Sequence, residues 1–184
     1  PMAYVDKFYA GAGASFFMSK VQMENYLDLL RLIEREKCHV LGSLLSQRDL
    51  KLIEEYKDHP KSNLYCIYAQ DTWQKGKAAS IAWCEKNNKA YEIIPKAPRE
   101  EFLRKLASYK GLVFLPNGGD TAPRLVIEAR LLGLYLVINS NVQHYKEEWF
   151  CGDRSGIIEH LRGLPKKFIK LINENKSISG SPVV

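Results

Sequence analysis

The chain has 184 residues, of which 46% are hydrophobic and 26% charged, with a formal net charge of +6. This length corresponds to one domain of ordinary size with part of a second, and it excludes a small protein that depends on disulfides for stability. The positive charge favours anionic partners such as nucleotides or phosphates, but no dense Lys/Arg block is present, so no nucleic-acid partner is expected.

The first 60 residues carry a few separate signals. Residues 16–19 predict a short strand, and apolar residues at helical spacing predict a helix over residues 20–35. Residues 39–45 indicate a strand that runs into a loop, and residues 47–56 an amphipathic helix. The segment GAG at residues 11–13 only half resembles a dinucleotide-binding fingerprint, because Phe16 replaces the third glycine and a strand follows where a helix is required. It is interpreted as a flexible loop.

From residue 64 onward, apolar strands alternate with helices. Strands are predicted at residues 64–69, 90–94, 111–115 and 134–138, and helices at residues 75–87, 100–109 and 124–132. The strands are continuous apolar runs, which is typical of a parallel sheet covered on both faces. We therefore predict an α/β fold, a Rossmann-like doubly wound parallel sheet with helices on both faces. Residues 157–161 and 168–172 predict two closing helices, and residues 177–184 a loose tail.

Doubly wound sheets bind ligands in the loops that follow the carboxyl ends of the strands. The first such loop, residues 70–76, contains Lys75, which can meet a phosphate as a point charge beside the following helix N-terminus. The alternative is a surface lysine beside a capping Asp or Thr, since exposed lysines are the rule.

A second loop of this kind is rich in small and polar residues. Gly118 and Gly119 let it approach a ligand closely, and Arg124 can bind phosphate through its forked guanidinium. Asp120 or Thr121 can cap the helix that follows. This loop is therefore the second candidate for ligand binding.

Two carboxylates, Asp120 and Glu128, bracket the start of that helix. A rise of roughly 1.5 Å per residue places them about 12 Å apart along the helix axis. This is too far for an acid/base pair acting on one bond, but it suits a long ligand held at both ends with its phosphates between. A charge on so apolar a helix is costly when it is buried without partners. The alternatives are that Asp120 is only a helix cap and Glu128 only a surface charge.

Several kinds of site are excluded by missing motifs. Four cysteines occur without a C-x-x-C pair, which indicates reduced thiols in a cytoplasmic protein. The sequence contains no D-x-D, no H-E-x-x-H, no Walker Gly-Lys-Ser/Thr and no G-x-S-x-G. No metal site is therefore predicted, and no apolar run is long enough to predict a transmembrane helix.

Taken together, these residues resemble the C-terminal, donor-nucleotide domain of a GT-B-fold glycosyltransferase of the retaining group 1 family. The signature of that family is two acidic residues separated by seven others, after a strand that ends in Pro and before an apolar helix. Asp120-TAPRLVI-Glu128 fits this spacing, and Lys75-Gly76 fits the Lys-Gly that follows the first strand of the family's donor domain. The resemblance is best over residues 62–150. The family usually has Glu where Asp120 stands, and often Arg where this chain has Gln70.

The resemblance implies a role for each of these residues. Lys75 would neutralise the donor diphosphate, and the N–H groups around residues 121–124, with the Arg124 side chain, would hold the phosphates. Asp120 would accept hydrogen bonds from the donor sugar near the reacting carbon. Glu128 would accept hydrogen bonds from the ribose, which would explain a carboxylate on an apolar helix. Thr121, Gly118 and Gly119 would belong to the same substrate-binding loop.

The implied activity is transfer of a sugar from a nucleotide diphosphate sugar to an acceptor hydroxyl, with retention and without a metal or cofactor. Residues 1–45 would be a remnant of, or linker from, an N-terminal acceptor domain that is otherwise missing, and residues 46–176 the donor domain. The chain alone would then be inactive. A glycan or lipid-linked glycan is the expected acceptor, in carbohydrate biosynthesis in the cytoplasm or at the inner face of a membrane. The alternatives are a non-catalytic nucleotide- or phosphate-binding domain of GT-B type and a glycosyltransferase-like epimerase.

Overall fold

A computed structural model describes residues 2–70 and 72–176, so the tail predicted at residues 177–184 lies outside the described residues. Six strands occur in the described part of the chain: β1 Ser15–Phe17, β2 Cys38–Val40, β3 Tyr65–Tyr68, β4 Tyr91–Ile94, β5 Gly111–Phe114 and β6 Tyr135–Ile138. Eight α-helices accompany them: α1 Met2–Ala10, α2 Lys20–Leu29, α3 Gln47–Tyr56, α4 Lys77–Lys86, α5 Arg99–Ala107, α6 Arg124–Leu131, α7 Glu148–Cys151 and α8 Arg154–Lys176.

The main sheet has the strand order β4-β3-β5-β6, and all of its strands are parallel. Its centre is apolar, since every residue of β5 is buried and Tyr65, Cys66 and Ile67 of β3 are buried as well. The predicted apolar runs therefore mark strands that are covered on both faces. The predicted doubly wound α/β fold is confirmed.

Helices cover both faces of this sheet. On one face, Cys84 of α4 packs with Ile67 and Val113. On the other face, α3, α5, α6 and α8 enclose a larger core that contains Cys66 and Leu112. Because successive residues of a strand point to opposite faces, Cys66 and Ile67 belong to different layers.

The chain changes direction in the middle of the sheet, and this determines where a ligand can bind. From β3 it crosses to β4 on one side, then returns to β5 on the other side of β3 and continues outward to β6. In such sheets the crevice lies outside the carboxyl ends of the two strands at which the order reverses. The loops after β3 and β5, both predicted as ligand-binding candidates, are therefore brought together.

A second, two-stranded parallel sheet pairs β1 with β2, and residues 11–14 connect α1 to β1. Residues next to this small sheet are hydrogen-bonded to the part of the chain that follows β6. Ser19 Oγ donates to Gln143 Oε1 and Lys20 N donates to Glu147 Oε1, both at 2.8 Å. Ser43 Oγ also donates to the Ala122 carbonyl at 2.5 Å. The division of the chain at residue 45 stays a prediction.

Some predicted elements differ in the structure. The helix predicted over residues 20–35 ends at Leu29, because Leu30 turns into an extended conformation with its side chain in the core. The two predicted closing helices form one helix, α8, with Pro165 inside it. Proline removes one hydrogen bond from a helix, but the buried side chains of Leu161 and Leu164 keep this helix packed through that point. Helices α1 and α7 were not predicted.

Among the described residues, no helix is long and apolar enough to cross a membrane.

Candidate functional site

The loop after β3 lies directly on the end of β5 because residue 76 is a glycine. Gly76 adopts a φ of 64°, and a Cβ atom there would lie 1.7 Å from the Leu115 carbonyl oxygen. Asn117 N donates to the Gln74 carbonyl at 3.1 Å, and Asn117 Nδ2 donates to the Trp73 carbonyl at 2.8 Å. These contacts fix the backbone on either side of Lys75. The glycine of the Lys-Gly pair thus permits the close approach of the two loops.

Lys75 and Asp120 meet across the switch point of the sheet. Lys75 Nζ donates to Asp120 Oδ2 at 2.6 Å, and the two side chains are 30% and 16% exposed. The Asp120 backbone is held as well, by its N–H donating to the Asn141 carbonyl at 2.7 Å and by its carbonyl accepting from Gln143 N at 3.0 Å. The two residues predicted as catalytic therefore form one ion pair at the carboxyl edge of the sheet.

Helix α6 begins later than the capping prediction requires. Its N-cap is Pro123, which makes no side-chain cap hydrogen bond, and its first residue is Arg124. Asp120 and Thr121 therefore lie too far before the first turn to cap it, and the prediction that either one is the helix cap is wrong. The N–H group of Val126 donates to the Pro123 carbonyl at 3.0 Å, so it is the N–H groups of Arg124 and Leu125, the first two residues of α6, that are suited to an anion.

Glu128 is buried, with only 2% of its side chain exposed. Arg99 donates to both of its oxygens, from Nη2 to Oε1 at 2.5 Å and from Nη1 to Oε2 at 3.1 Å. Arg124 Nε lies 3.5 Å from Oε1, one helical turn away. The alternative that Glu128 is a surface charge is therefore wrong, and the carboxylate is tolerated inside the protein because two guanidinium groups face it.

Asp49 joins the same network from helix α3. Its Oδ1 accepts from Arg99 Nε at 2.6 Å, and its Oδ2 accepts from Arg124 Nη2 at 3.0 Å. Burial opposes ionisation of Asp49, but hydrogen bonds from Arg99 and Ser46 outweigh it and hold its pKa below the ordinary value. Burial likewise opposes the charge of Arg99, yet Glu128 and Asp49 raise the pKa of that guanidinium. The four side chains form a network with two positive and two negative charges.

Arg99 and Asp49 were missed by the sequence analysis. Arg99 starts α5, in the loop that follows the carboxyl end of β4, so its position after a strand was an available signal. In the sequence, Asp49 is recognisable only as the capping-box partner of Ser46 at the start of α3. That structural role gives no reason to place Asp49 in the site. Its second role depends on α3 packing beside α5, which no local pattern indicates.

A cavity of about 280 Å³ opens beside these residues. Three basic side chains line it, those of Lys75, Arg99 and Arg124, together with Glu128 and the aromatic side chain of Phe114. Basic groups, a carboxylate and an apolar wall in one cavity suit a ligand that has phosphate, hydroxyl and ring components.

Gly118, Gly119 and Thr121 do not line the cavity. A Cβ atom on Gly118 would be 3.5 Å from the ring of Trp73, which is 72% exposed, and one on Gly119 would be 2.7 Å from Gln143 Nε2. Thr121 is half-buried. Of the predicted residues, Lys75, Arg124 and Glu128 thus line one cavity, whereas the two glycines and Thr121 do not, and Asp120 is connected to it only through Lys75.

A buried histidine lies behind the loop that carries Asp120. His144 has no exposed surface, and its ring stacks on Trp149 with a centroid distance of 5.5 Å. Burial lowers the pKa of His144 to about 4, although the Thr121 backbone and the charge of Asp120 act in the opposite direction. The imidazole is therefore neutral near pH 7 and packs as an uncharged ring. Among the described residues, no group of three or more His, Cys, Asp or Glu side chains could hold a metal ion.

No protein-family model matches this sequence, and no curated protein matches it. Among solved structures, the chain is similar to WaaG, a glycosyltransferase involved in lipopolysaccharide biosynthesis, with a TM-score of 0.48 and 14% sequence identity. The match covers 91% of this chain and 59% of that one. The chain therefore spans less than two thirds of the length of the structure that it matches.

Proposed function

We propose that this chain is the donor-binding half of a retaining glycosyltransferase of GT-B type. It would bind a nucleotide diphosphate sugar, whose sugar is transferred to an acceptor hydroxyl without a metal ion. The observation that carries this proposal is the ion pair between Lys75 and Asp120 at the switch point of the sheet. A cation for phosphate and a carboxylate for hydroxyls stand side by side, at the edge where such sheets bind ligands.

The phosphate-binding part consists of Lys75 and the start of α6. Lys75 is a point charge for the diphosphate, and Arg124, the first residue of α6, adds a guanidinium that lines the same cavity. Stabilising the negative charge that develops on the leaving diphosphate is the main catalytic contribution that these groups offer. Asp120 accepts from the sugar hydroxyls once Lys75 has turned to the phosphate, and Glu128 is the carboxylate for the ribose.

A second candidate is a nucleotide-binding domain without transferase activity. It is supported by the origin of the cavity, since all of its lining side chains come from residues 68–128. They account for binding of a donor and leave the acceptor unassigned. Both candidates share the nucleoside diphosphate as ligand. They differ in whether the sugar of a bound nucleotide sugar is transferred to an acceptor.

Calorimetric titration of the chain with nucleoside diphosphates and nucleotide sugars tests the shared part of the proposal. We expect one base to be preferred, and Lys75→Ala to remove much of the preference for a diphosphate over its nucleoside. Lys86→Ala, at the exposed end of α4, is the matched control and should leave that preference unchanged. If Lys75→Ala leaves it unchanged too, Lys75 is not a phosphate ligand. The donor-binding half alone is expected to be inactive. The transferase is therefore separated from the binding domain by incubating a longer chain that includes an acceptor domain with the preferred nucleotide sugar and glycan acceptors, followed by product analysis.

A further inference from the structure

We propose that Arg99 is a specificity-determining residue, which lets a ligand reach Glu128 only when that ligand also carries phosphate. This inference rests on the proposed function, because it takes the ligand to be a nucleoside diphosphate. It assigns to Arg99 a role that is separate from the phosphate-binding role of Lys75.

The Glu128 carboxylate is already occupied by Arg99. Both of its oxygens accept hydrogen bonds from Arg99, and only 2% of the side chain is exposed. A ribose that binds Glu128 needs the same two oxygens for its vicinal hydroxyls. Each of these oxygens can accept more than one hydrogen bond, but with Arg99 in place almost none of the Glu128 side chain is accessible, so Arg99 must move aside before a ribose can reach it.

Arg99 is free enough to move, but it needs another anion when it does. Its side chain is 35% exposed at the wall of the cavity, and its second partner is Asp49, which Arg124 shares. Hydroxyl groups replace the hydrogen bonds that Glu128 loses, yet they offer no negative charge to the displaced guanidinium. A phosphate in the same cavity does offer that charge, in the forked geometry that arginine prefers.

A nucleoside and a nucleoside diphosphate therefore differ in the free energy that binding at this site requires. A nucleoside breaks the pair between Arg99 and Glu128 and leaves Arg99 with one carboxylate fewer. A nucleoside diphosphate gives hydroxyls to Glu128 and phosphate oxygens to Arg99, so that each charge keeps a partner. Specificity of this kind comes from a penalty on the wrong ligand as much as from contacts to the right one.

The test compares affinities for uridine and adenosine with those for their diphosphates, measured by calorimetry on the wild type and on Arg99→Gln. We expect Arg99→Gln to bind the preferred nucleoside about tenfold more tightly and its diphosphate about tenfold more weakly. The control is Arg104→Gln, which removes an exposed arginine from the same helix and should change neither value.

The possible outcomes separate this inference from the proposed function. If the wild type binds no nucleoside diphosphate, both are overturned. If it prefers the diphosphate and Arg99→Gln keeps the same ratio of affinities, Arg99 is only structural and the proposed function stands. Should circular dichroism show that Arg99→Gln is unfolded, Arg99→Lys carries the test, because it keeps the charge but loses the two-pronged contact to Glu128. An unchanged ratio in that folded variant would overturn the inference.

Discussion

Lys75 Nζ lies 2.6 Å from Asp120 Oδ2, although 45 positions separate the two residues in the sequence. Each belongs to a loop at the carboxyl end of one of the two strands, β3 and β5, between which the strand order of the sheet reverses. A ligand that brings both phosphate and hydroxyl groups can replace this one ion pair by two contacts. The fold thus places these two side chains where the proposed ligand would bind.

Asp120→Asn should make Lys75 more available to a bare anion. The amide cannot neutralise the ammonium group, so we expect inorganic pyrophosphate to bind about three- to tenfold more tightly, as the loss of one partly exposed ion pair implies. A nucleotide sugar should bind less well, because its hydroxyls lose a charged acceptor. Calorimetry with both ligands measures the change, with Asp58→Asn at an exposed position as the control. Weaker binding of pyrophosphate to Asp120→Asn would contradict this reading of the pair.

Gly76→Ala should destabilise the protein through a steric clash as well as through its backbone conformation. The new Cβ would lie 1.7 Å from the Leu115 carbonyl oxygen, so the loop after β3 must move away from β5. We expect a loss of at least about 3 kcal/mol in the free energy of unfolding, measured with urea. Gly133→Ala is a matched control, since its φ is 74° but nothing lies within 4 Å of the new Cβ. It should cost about 1 kcal/mol, and equal losses in the two variants would exclude the clash.

His144 should make the protein less stable as the pH falls. The ordinary pKa of histidine is 6.5, whereas that of the folded His144 is about 4. Between these values the unfolded chain binds a proton that the folded chain does not, so stability decreases as pH is lowered from 6.5 to 4. This contribution amounts to roughly 3 kcal/mol over the whole window.

Urea unfolding of His144→Phe from pH 6.5 down to about pH 4, the window between the two pKa values, checks this prediction. The variant keeps an aromatic ring beside Trp149 but cannot bind a proton, so its stability should depend less on pH than that of the wild type. Some dependence should remain, because burial also lowers the pKa values of His39 and His160. His59→Gln, at an exposed position, should follow the wild type. An unchanged slope in His144→Phe would mean that His144 does not resist protonation.

Glu128→Gln should lower both stability and ligand affinity. The amide keeps the size of the side chain, but it leaves Arg99 and Arg124 with Asp49 as the one remaining carboxylate of the network. Because the arginines are 35% and 47% exposed, we expect a modest loss, about 1–2 kcal/mol. Thermal or urea unfolding measures it against Glu101→Gln, an exposed glutamate on α5. Nucleoside diphosphate binding, titrated where the variant is folded, should weaken as well. If only stability changes, Glu128 has no role with the ribose.

The order of strands and helices between residues 64 and 138 could be predicted from the sequence. Runs such as LYCIYA and GLVFL bury side chains on both faces, and this requirement is local, so it is visible in the order of residues. That the loops of Lys75 and Asp120 both lie at the carboxyl edge followed from the same pattern, since parallel strands present their carboxyl ends at one edge, but the ion pair between them was not predicted. The predicted helix ends were less accurate. Core packing takes Leu30 out of α2 and keeps α8 continuous through Pro165, and local propensity indicates neither.

The partners of Glu128 were decided only by the tertiary structure. The sequence shows a carboxylate on an apolar helix, but it does not say which cations face it. Arg99 reaches Glu128 because β3 lies between β4 and β5, and Asp49 reaches Arg99 because α3 packs beside α5. Pairing of charges from separate elements depends on how those elements pack, which involves contacts distant in sequence. Local residue patterns determine the helices and strands, whereas packing determines which buried charges neutralise one another.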